Sequence, residues 1–337
     1  MRQLATLATA VSPVSGAVVM GTGIVSTGLS LDGQEALSRA LLVVAVLVWI
    51  VLGAALAALV VEQRPLLVDR ARSPAALTGV AGTSVVGVRL TMLGWNHEAA
   101  ALLVLGVALW LWLVPGVLAH LRRPTTGISF ALTVATESLG VLGAGLAIVF
   151  GAPWLALAAL ACVGLGLVLY LVVLSLFDLR QLLVGRGDHW LCGGALAIAT
   201  LACSDTARAA GILESLGPAS GALDDAALGI WIAAALWLPP LVVAEVAAPR
   251  TGYSVFRWST VFPLGMYAVC SFAVERVDDI PGIDDFARVW IWIAFAVWLA
   301  AFGGLLWHAF GVVRDAARGP ARSSPRGGVE IDSPRLG

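Results

Sequence analysis

The chain has 337 residues, of which 60% are hydrophobic and only 12% are charged, and its mean hydropathy is +0.94. Soluble domains carry about 25% charged residues, so this composition excludes a soluble fold. The formal net charge of −1 gives no reason to expect a nucleic-acid partner.

Ten apolar stretches follow one another along the chain, and each comes close to the roughly 20 residues that a transmembrane helix needs. They lie at 13–31, 37–61, 74–94, 97–119, 127–149, 152–176, 190–210, 224–247, 255–275 and 285–310. Taken as consecutive pairs, they predict an all-α integral membrane protein of five helical hairpins within one domain, residues 1–313. We expect the first stretch to be a retained helix and not a cleaved signal peptide. The tail at 314–337, rich in Arg, Pro and Gly, is expected to be disordered.

The arginines between the stretches predict the orientation in the membrane. All twenty basic residues are arginines; fifteen lie on one side, three lie in loops on the other side and two lie within stretches. The positive-inside rule places the arginine-rich side, with both chain termini, in the cytoplasm. The predicted location is therefore the cell membrane, with the lipid bilayer around the helices.

The odd-numbered stretches differ in composition from the even-numbered ones. The odd stretches are rich in Gly, Ser and Thr, whereas the even ones consist mainly of Leu, Val, Ala and Trp. Small residues allow close helix packing and hydroxyls join helices in lipid, so interior packing is one interpretation. The other is that the odd helices line a pathway, while the even helices and their tryptophans face lipid. The candidate lining residues are Gly21, Thr22, Gly23, Ser26, Thr83, Thr133, Thr136, Thr200, Ser204 and Ser259.

Four ionisable residues lie within odd stretches, where a charge costs roughly 2.5 to 3.5 kcal/mol and usually faces a cavity or a partner. Glu137 lies near the middle of the membrane, and Arg89, Asp205 and Arg208 lie in the outer third. Asp205 and Arg208 are three residues apart and can pair on one helix. We expect Arg89 to pair with Glu137 or Asp205 across helices, or else to attract an anion. A purely structural ion pair is the competing interpretation.

The ninth stretch contains a proline near its middle. Pro263 has no N–H and leaves the carbonyl of Ser259 without its helical partner, which predicts a kink that Gly265 would ease. Phe262, directly before this proline, could project into a pore as a hydrophobic constriction. The alternative is that Phe262 is an ordinary core residue.

Cysteines and histidines form no pattern that indicates catalysis or metal binding. The four cysteines fall inside predicted helices without CxxC or Cys/His spacing, and the four histidines lie at helix ends without an HExxH motif. No Gly-x-Ser-x-Gly string is present either. The sequence therefore indicates no enzyme, no metal and no cofactor.

Three strings in odd helices resemble those of a known family. They are Met20-Gly-Thr-Gly-Ile-Val-Ser26, Glu137-Ser-Leu139 and Arg257-Trp-Ser-Thr-Val-Phe-Pro-Leu-Gly-Met-Tyr-Ala268. In combination they resemble the tellurite-resistance/dicarboxylate transporter family, which includes bacterial tellurite-resistance proteins, fungal malate permeases and sulfite exporters, and plant slow-type anion channels. The resemblance covers nearly the whole chain.

This resemblance implies an inner ring of odd helices around a central pore, an outer ring of even helices, and a homotrimer with one pore in each subunit. It implies a channel or transporter for small anions such as C4-dicarboxylates, sulfite, tellurite-type oxyanions or inorganic anions. The gate carried over to this chain is Phe262 with Pro263, and Arg89, Glu137 and Arg208 join the candidate pathway residues. Alternatives are a proton-coupled weak-acid exporter that uses Glu137 and, with less support, an intramembrane enzyme or a membrane protein without transport.

Overall fold

A computed structural model describes residues 12–214, 217, 219–250, 252–278 and 280–318, and these residues form ten long helices. A short helix, Arg64–Ala71, lies between the second and the third of them. The long helices are α1 (Gly16–Leu31), α2 (Glu35–Glu62), α3 (Thr78–Met92), α4 (Asn96–His120), α5 (Ala131–Phe150), α6 (Pro153–Leu176), α7 (Leu191–Ile212), α8 (Ala219–Ala247), α9 (Trp258–Asp278) and α10 (Ile283–Arg318).

These helices match the ten predicted stretches, so the all-α membrane fold is confirmed. Nine of the described helices are long and apolar enough to cross a membrane by themselves. The tenth, α9, has 21 residues and a length of about 30 Å, but its Ser, Thr, Pro and Gly residues make it less apolar. Helix α10 continues to Arg318, past the predicted domain boundary at residue 313, and the remaining tail lies outside the described residues.

The helices form two concentric rings. Each odd helix packs against the next odd helix, and α9 packs against α1, so the inner ring is closed. Each even helix packs on the outside against the odd helix that precedes it, which gives five hairpins. In four odd spans 67% to 94% of the residues are buried, against 11% to 33% in the even spans. Lipid therefore meets mainly the even helices, as the composition predicted.

A 3₁₀ turn leads into every odd helix. Two of these turns begin with a proline, whose missing N–H costs nothing at a helix start. The five turns are Pro13–Ser15, Pro74–Leu77, Gly127–Phe130, Asp188–Trp190 and Val255–Arg257. The repeated turn shows that the five hairpins are copies of one architecture, although their sequences differ.

Candidate functional site

The C-terminal halves of the five odd helices enclose a cavity of about 380 Å³, which we call the mouth cavity. Its charged wall consists of Asp205 and Arg208 from α7 and Arg276 from α9, and Thr91 from α3 also lines the cavity. Both arginine side chains reach solvent. No ion pair within 4.0 Å joins Asp205 to either arginine among the described residues, so the two arginines keep donors for another partner.

The rest of the lining of the mouth cavity is mainly apolar. It is formed chiefly by α5, through Val141, Leu142, Gly145, Ile148 and Val149. The cavity is therefore polarised, with charged side chains on α7 and α9 and an aliphatic surface on α5, the ring neighbour of α7.

Towards the middle of the ring the space along the axis narrows to a void of about 20 Å³, which we call the neck. A void of this size holds about one water molecule. Thr27, Val88, Val141 and Leu201 line both the mouth cavity and the neck, so the two spaces share one axis. The other side chains of the neck are Ile24, Val85, Ser138, Ile198 and Met266.

Phe262 lies beyond the neck and is fully buried. It precedes Met266 by four residues, which places both side chains on the same face of α9. Its neighbour Val261 faces Gly21 of α1, and Pro263 faces Gly194 of α7. The helices α1 and α7 are the ring neighbours of α9. Phe262 lies between Val261 and Pro263, which contact these two helices, so its side chain is directed to the axis. Pro263 belongs to the α7–α9 contact, and α9 continues as a helix through it.

The prediction that Arg89 pairs with Glu137 or Asp205 is wrong. The guanidinium of Arg89, 1% exposed, donates to both carboxylate oxygens of Glu35 at 2.8 and 2.7 Å and to Oγ of Ser38 at 2.9 Å. Glu35 and Ser38 begin α2, so this ion pair joins an inner helix to an outer one. Arg89 is thereby a structural residue and does not line the mouth cavity.

Three predicted pathway threonines face outer helices instead of the axis, and each accepts a hydrogen bond from an indole N–H. The donor–acceptor pairs are Trp298–Thr22 at 3.0 Å, Trp49–Thr83 at 2.9 Å and Trp110–Thr136 at 2.9 Å. A fourth pair, Trp231–Ser271 at 2.8 Å, repeats the arrangement on α9. In each pair an even helix is joined to the following odd helix, or α10 to α1. These tryptophans are thus interior contacts, although the sequence suggested lipid anchors.

Glu137 lies behind the inner ring. Its carboxyl group sits against Gly166 of α6 and is fully buried, and neither of its oxygens has a hydrogen-bond partner among the described residues. Gly166 provides the space, because a Cβ at that position would overlap the carboxyl group. The side chain therefore points away from the axis, contrary to its expected place on the pathway.

The other predicted lining residues lie at contacts between helices or are buried without such a contact. Gly21 approaches α9, Gly23 approaches Val85 of α3, and Ser26 exchanges hydrogen bonds with Ser38 of α2. Ser204 donates to the carbonyl of Ala273 on α9. Thr200 donates to a carbonyl of its own helix, whereas Thr133 and Ser259 are buried with no hydroxyl partner in the described part of the chain. Of the predicted set, only Arg208 lines the mouth cavity.

Sequence reasoning missed the residues that surround the axis, above all the aliphatic side chains of the neck and Arg276. Arg276 is one of the three arginines that the sequence analysis placed in loops opposite the arginine-rich side. It belongs to α9 and lies two turns after Val269, another residue of the mouth cavity. Helical register could have found it, since residues seven apart share one face.

Five buried helices surround a central axis with a cavity, and five lipid-exposed helices surround them. This arrangement defines a multi-pass helical membrane protein. Residues 10–306 match the model of the voltage-dependent anion channel family (SLAC1), so the chain belongs to that family. This confirms the resemblance that the three strings indicated. A curated relative, described as an uncharacterized membrane protein, is found in two strains of Mycobacterium tuberculosis. It is 29% identical over 161 residues, which cover 44% of this chain and 81% of the relative.

Proposed function

We propose that the protein conducts small anions along the axis of its inner ring. The observation that carries this proposal is the pair Arg208 and Arg276 in the mouth cavity. Both lie near Asp205, but among the described residues no carboxylate oxygen lies within 4.0 Å of either guanidinium. Guanidinium groups donate to anions in a fixed, charge-assisted geometry. An anion that enters the mouth cavity is attracted by this wall before it reaches the neck.

Phe262 is the proposed gate. The neck next to it is lined mainly by aliphatic side chains and holds about one water molecule. A narrow apolar segment of this kind can act as a hydrophobic gate, because water and hydrated ions are excluded from it. Movement of the Phe262 ring would widen the axis. The orientation with cytoplasmic termini, the cell membrane as location, and the homotrimer stay predictions from the arginine distribution and the family resemblance.

Anion flux into proteoliposomes tests the proposal. A panel of chloride, nitrate, sulfite, tellurite and succinate would be compared for the unaltered protein, Phe262→Ala and the control Phe310→Ala, whose ring is 64% exposed on α10. We expect Phe262→Ala to raise the flux and Phe310→Ala to leave it unchanged. An equal flux in all three proteins would remove Phe262 from the gate, and no flux of any anion would overturn the function itself.

Proton coupling through Glu137, the alternative mechanism, has less support from the geometry. A coupling carboxyl group must be reached from the pathway, whereas Glu137 faces α6 behind the inner ring. The conducted anion therefore need not exchange a proton with this residue, and the proposed function is a pathway without an enzymatic step.

A further inference from the structure

The two walls of the mouth cavity differ in chemistry, and this difference restricts the ligand. Arg208 and Arg276 can hold an anionic group, while the aliphatic surface of α5, the ring neighbour of α7, lines another part of the same cavity. Binding sites for small organic molecules have volumes of about 300 to 1,000 Å³, mainly apolar linings and a few polar groups. The mouth cavity, at about 380 Å³, agrees with this description.

The hydroxyl groups along the axis offer little to a bare inorganic anion. A Ser or Thr hydroxyl has one hydrogen to donate. Thr27, Thr91 and Ser138 each direct theirs to a carbonyl oxygen of their own helix, at 3.1, 3.0 and 2.8 Å. Among the described lining residues, the donors for an anion are therefore the two arginines, and a small ion that moved on into the neck would lose its hydration without replacement.

The charge of the cavity favours a ligand with one negative charge. Two arginines and Asp205 give the described lining a formal charge of +1, because +2 and −1 sum to +1. Asp205 lies on the same wall as Arg208, one helical turn away, and would repel a second carboxylate. Apart from Arg276, the sequence on this side of the membrane holds eleven acidic residues against two arginines between the predicted stretches or at their ends, which further disfavours a dianion.

We propose that the mouth cavity binds organic monoanions, namely monocarboxylates with an apolar body, in preference to dicarboxylates and small inorganic anions. The carboxylate lies against Arg208 and Arg276, and the hydrocarbon part lies on Val149 and the other aliphatic residues of α5. This inference rests on the proposed function, since it names the substrate class of the same pathway.

Calorimetric titration of the detergent-solubilised protein tests the inference without any need for transport. The ligands are acetate, butyrate and hexanoate, the dicarboxylates malonate, succinate and adipate, and chloride. We expect the affinity for monocarboxylates to rise by up to about fourfold for each added methylene group. Succinate should bind more weakly than butyrate, and adipate more weakly than hexanoate; each pair has the same number of carbons.

Two variants assign these effects to the two walls. Val149→Ser should weaken the increase in affinity with chain length, whereas Val289→Ser, at a side chain 62% exposed on α10, should not.

Asp205→Asn should bring the dicarboxylates closer to the monocarboxylates in affinity. Its control is Asp284→Asn, which lies outside the cavity and pairs with Arg288. The controls also correct for partition of hexanoate into detergent.

The results separate this inference from the proposed function. An affinity that does not depend on chain length, or dicarboxylates that bind as tightly as monocarboxylates, would overturn the inference. Flux of chloride, nitrate and butyrate in proteoliposomes, measured separately, tests the proposed function. If none of these anions moves, the proposed function is overturned, while the titration still decides the binding preference of the cavity.

Discussion

The indole N–H of Trp298 on α10 donates a 3.0 Å hydrogen bond to Oγ1 of Thr22 on α1. This bond joins the last outer helix to the first inner helix and so closes the circle of hairpins. The same donor and acceptor types join α2 to α3, α4 to α5 and α8 to α9. In lipid, where water does not compete, such side-chain bonds are a regular means of fixing helices to one another.

Trp298→Phe should lower the free energy of unfolding by more than the roughly 1 kcal/mol of one hydrogen bond. The phenyl ring keeps the stacking on Phe295 and Phe302, but it is smaller than the buried indole, so a loss of packing adds to the loss of the hydrogen bond. Thermal unfolding in detergent would measure the change. Trp307→Phe is the matched control, because Trp307 is 80% exposed, and it should have no effect.

The coupling between the two side chains can be measured directly. In a double-mutant cycle Thr22→Val should cost little more once Trp298→Phe is present. Fully additive effects would show that the hydrogen bond does not stabilise the ring closure.

Glu35→Gln should destabilise the protein strongly, because it leaves the charge of Arg89 buried without its partner. Removal of one member of a buried ion pair costs about 3 to 5 kcal/mol, and the partial exposure of Glu35 places this variant at the lower end. The control Arg39→Gln removes an exposed partner of the same carboxylate and should cost less than about 1 kcal/mol. Equal shifts in the unfolding temperature of the two variants would contradict the structural role of Arg89.

Gly145→Leu should reduce anion flux severalfold by filling the mouth cavity. The nearest atom to a Cβ at this position is Cγ2 of Thr91 at 4.0 Å, so the new side chain has room to extend towards the axis. Gly164→Leu on α6 is the matched control, since Gly164 is exposed and has nothing within 4 Å. Leu has a higher helix propensity than Gly, so neither variant should weaken its helix. A lower flux in Gly145→Leu but not in Gly164→Leu would therefore come from the filled cavity and not from misfolding.

Arg208→Gln should lower anion flux most at low ionic strength. Two unit charges 4 Å apart interact by about 1 kcal/mol in water, so the loss of one arginine reduces the local anion concentration by about fivefold. At high salt the difference should shrink through screening. Arg288→Gln, whose side chain is held by Asp284, is the control and should leave the salt dependence unchanged. A deficit that is independent of salt would argue against an electrostatic role of Arg208.

Glu137→Gln should preserve anion flux and its response to a pH gradient. Gln has nearly the shape of Glu and fits the same space against Gly166, and the residue does not line the axis. Flux measured in proteoliposomes with and without a pH gradient would decide. If the variant abolished a proton-driven component of the flux, the proton-coupled mechanism would be restored.

The helices could be predicted from the sequence because the bilayer imposes a length and the hydropathy changes sharply at each end. The pairing into hairpins follows from short connections. Even the two-ring arrangement is visible in composition, since the outer helices meet lipid with aliphatic side chains and the inner ones need small residues for close packing.

The face of each inner helix that lines the axis could not be predicted in the same way. A helix that is buried on all sides has no polar stripe that distinguishes one direction from another. Thr22 and Thr83 accordingly looked like pathway residues, although their hydroxyls bind tryptophans behind the ring. Arg89 was misassigned for a related reason: its partner Glu35 lies just before the predicted start of the second helix, outside the set considered as embedded.

The closed ring has an electrical consequence, because its five helices all run in the same direction. Each α-helix carries a macrodipole equivalent to about half a positive charge at its N-terminus and half a negative charge at its C-terminus. Five parallel dipoles add along the axis, while the outer helices that oppose them lie farther away. The dipoles favour anions at the end with the 3₁₀ turns, whereas at the mouth cavity Arg208 and Arg276 counteract the negative ends of the helices. The pathway is therefore intrinsically asymmetric, and its current should rectify.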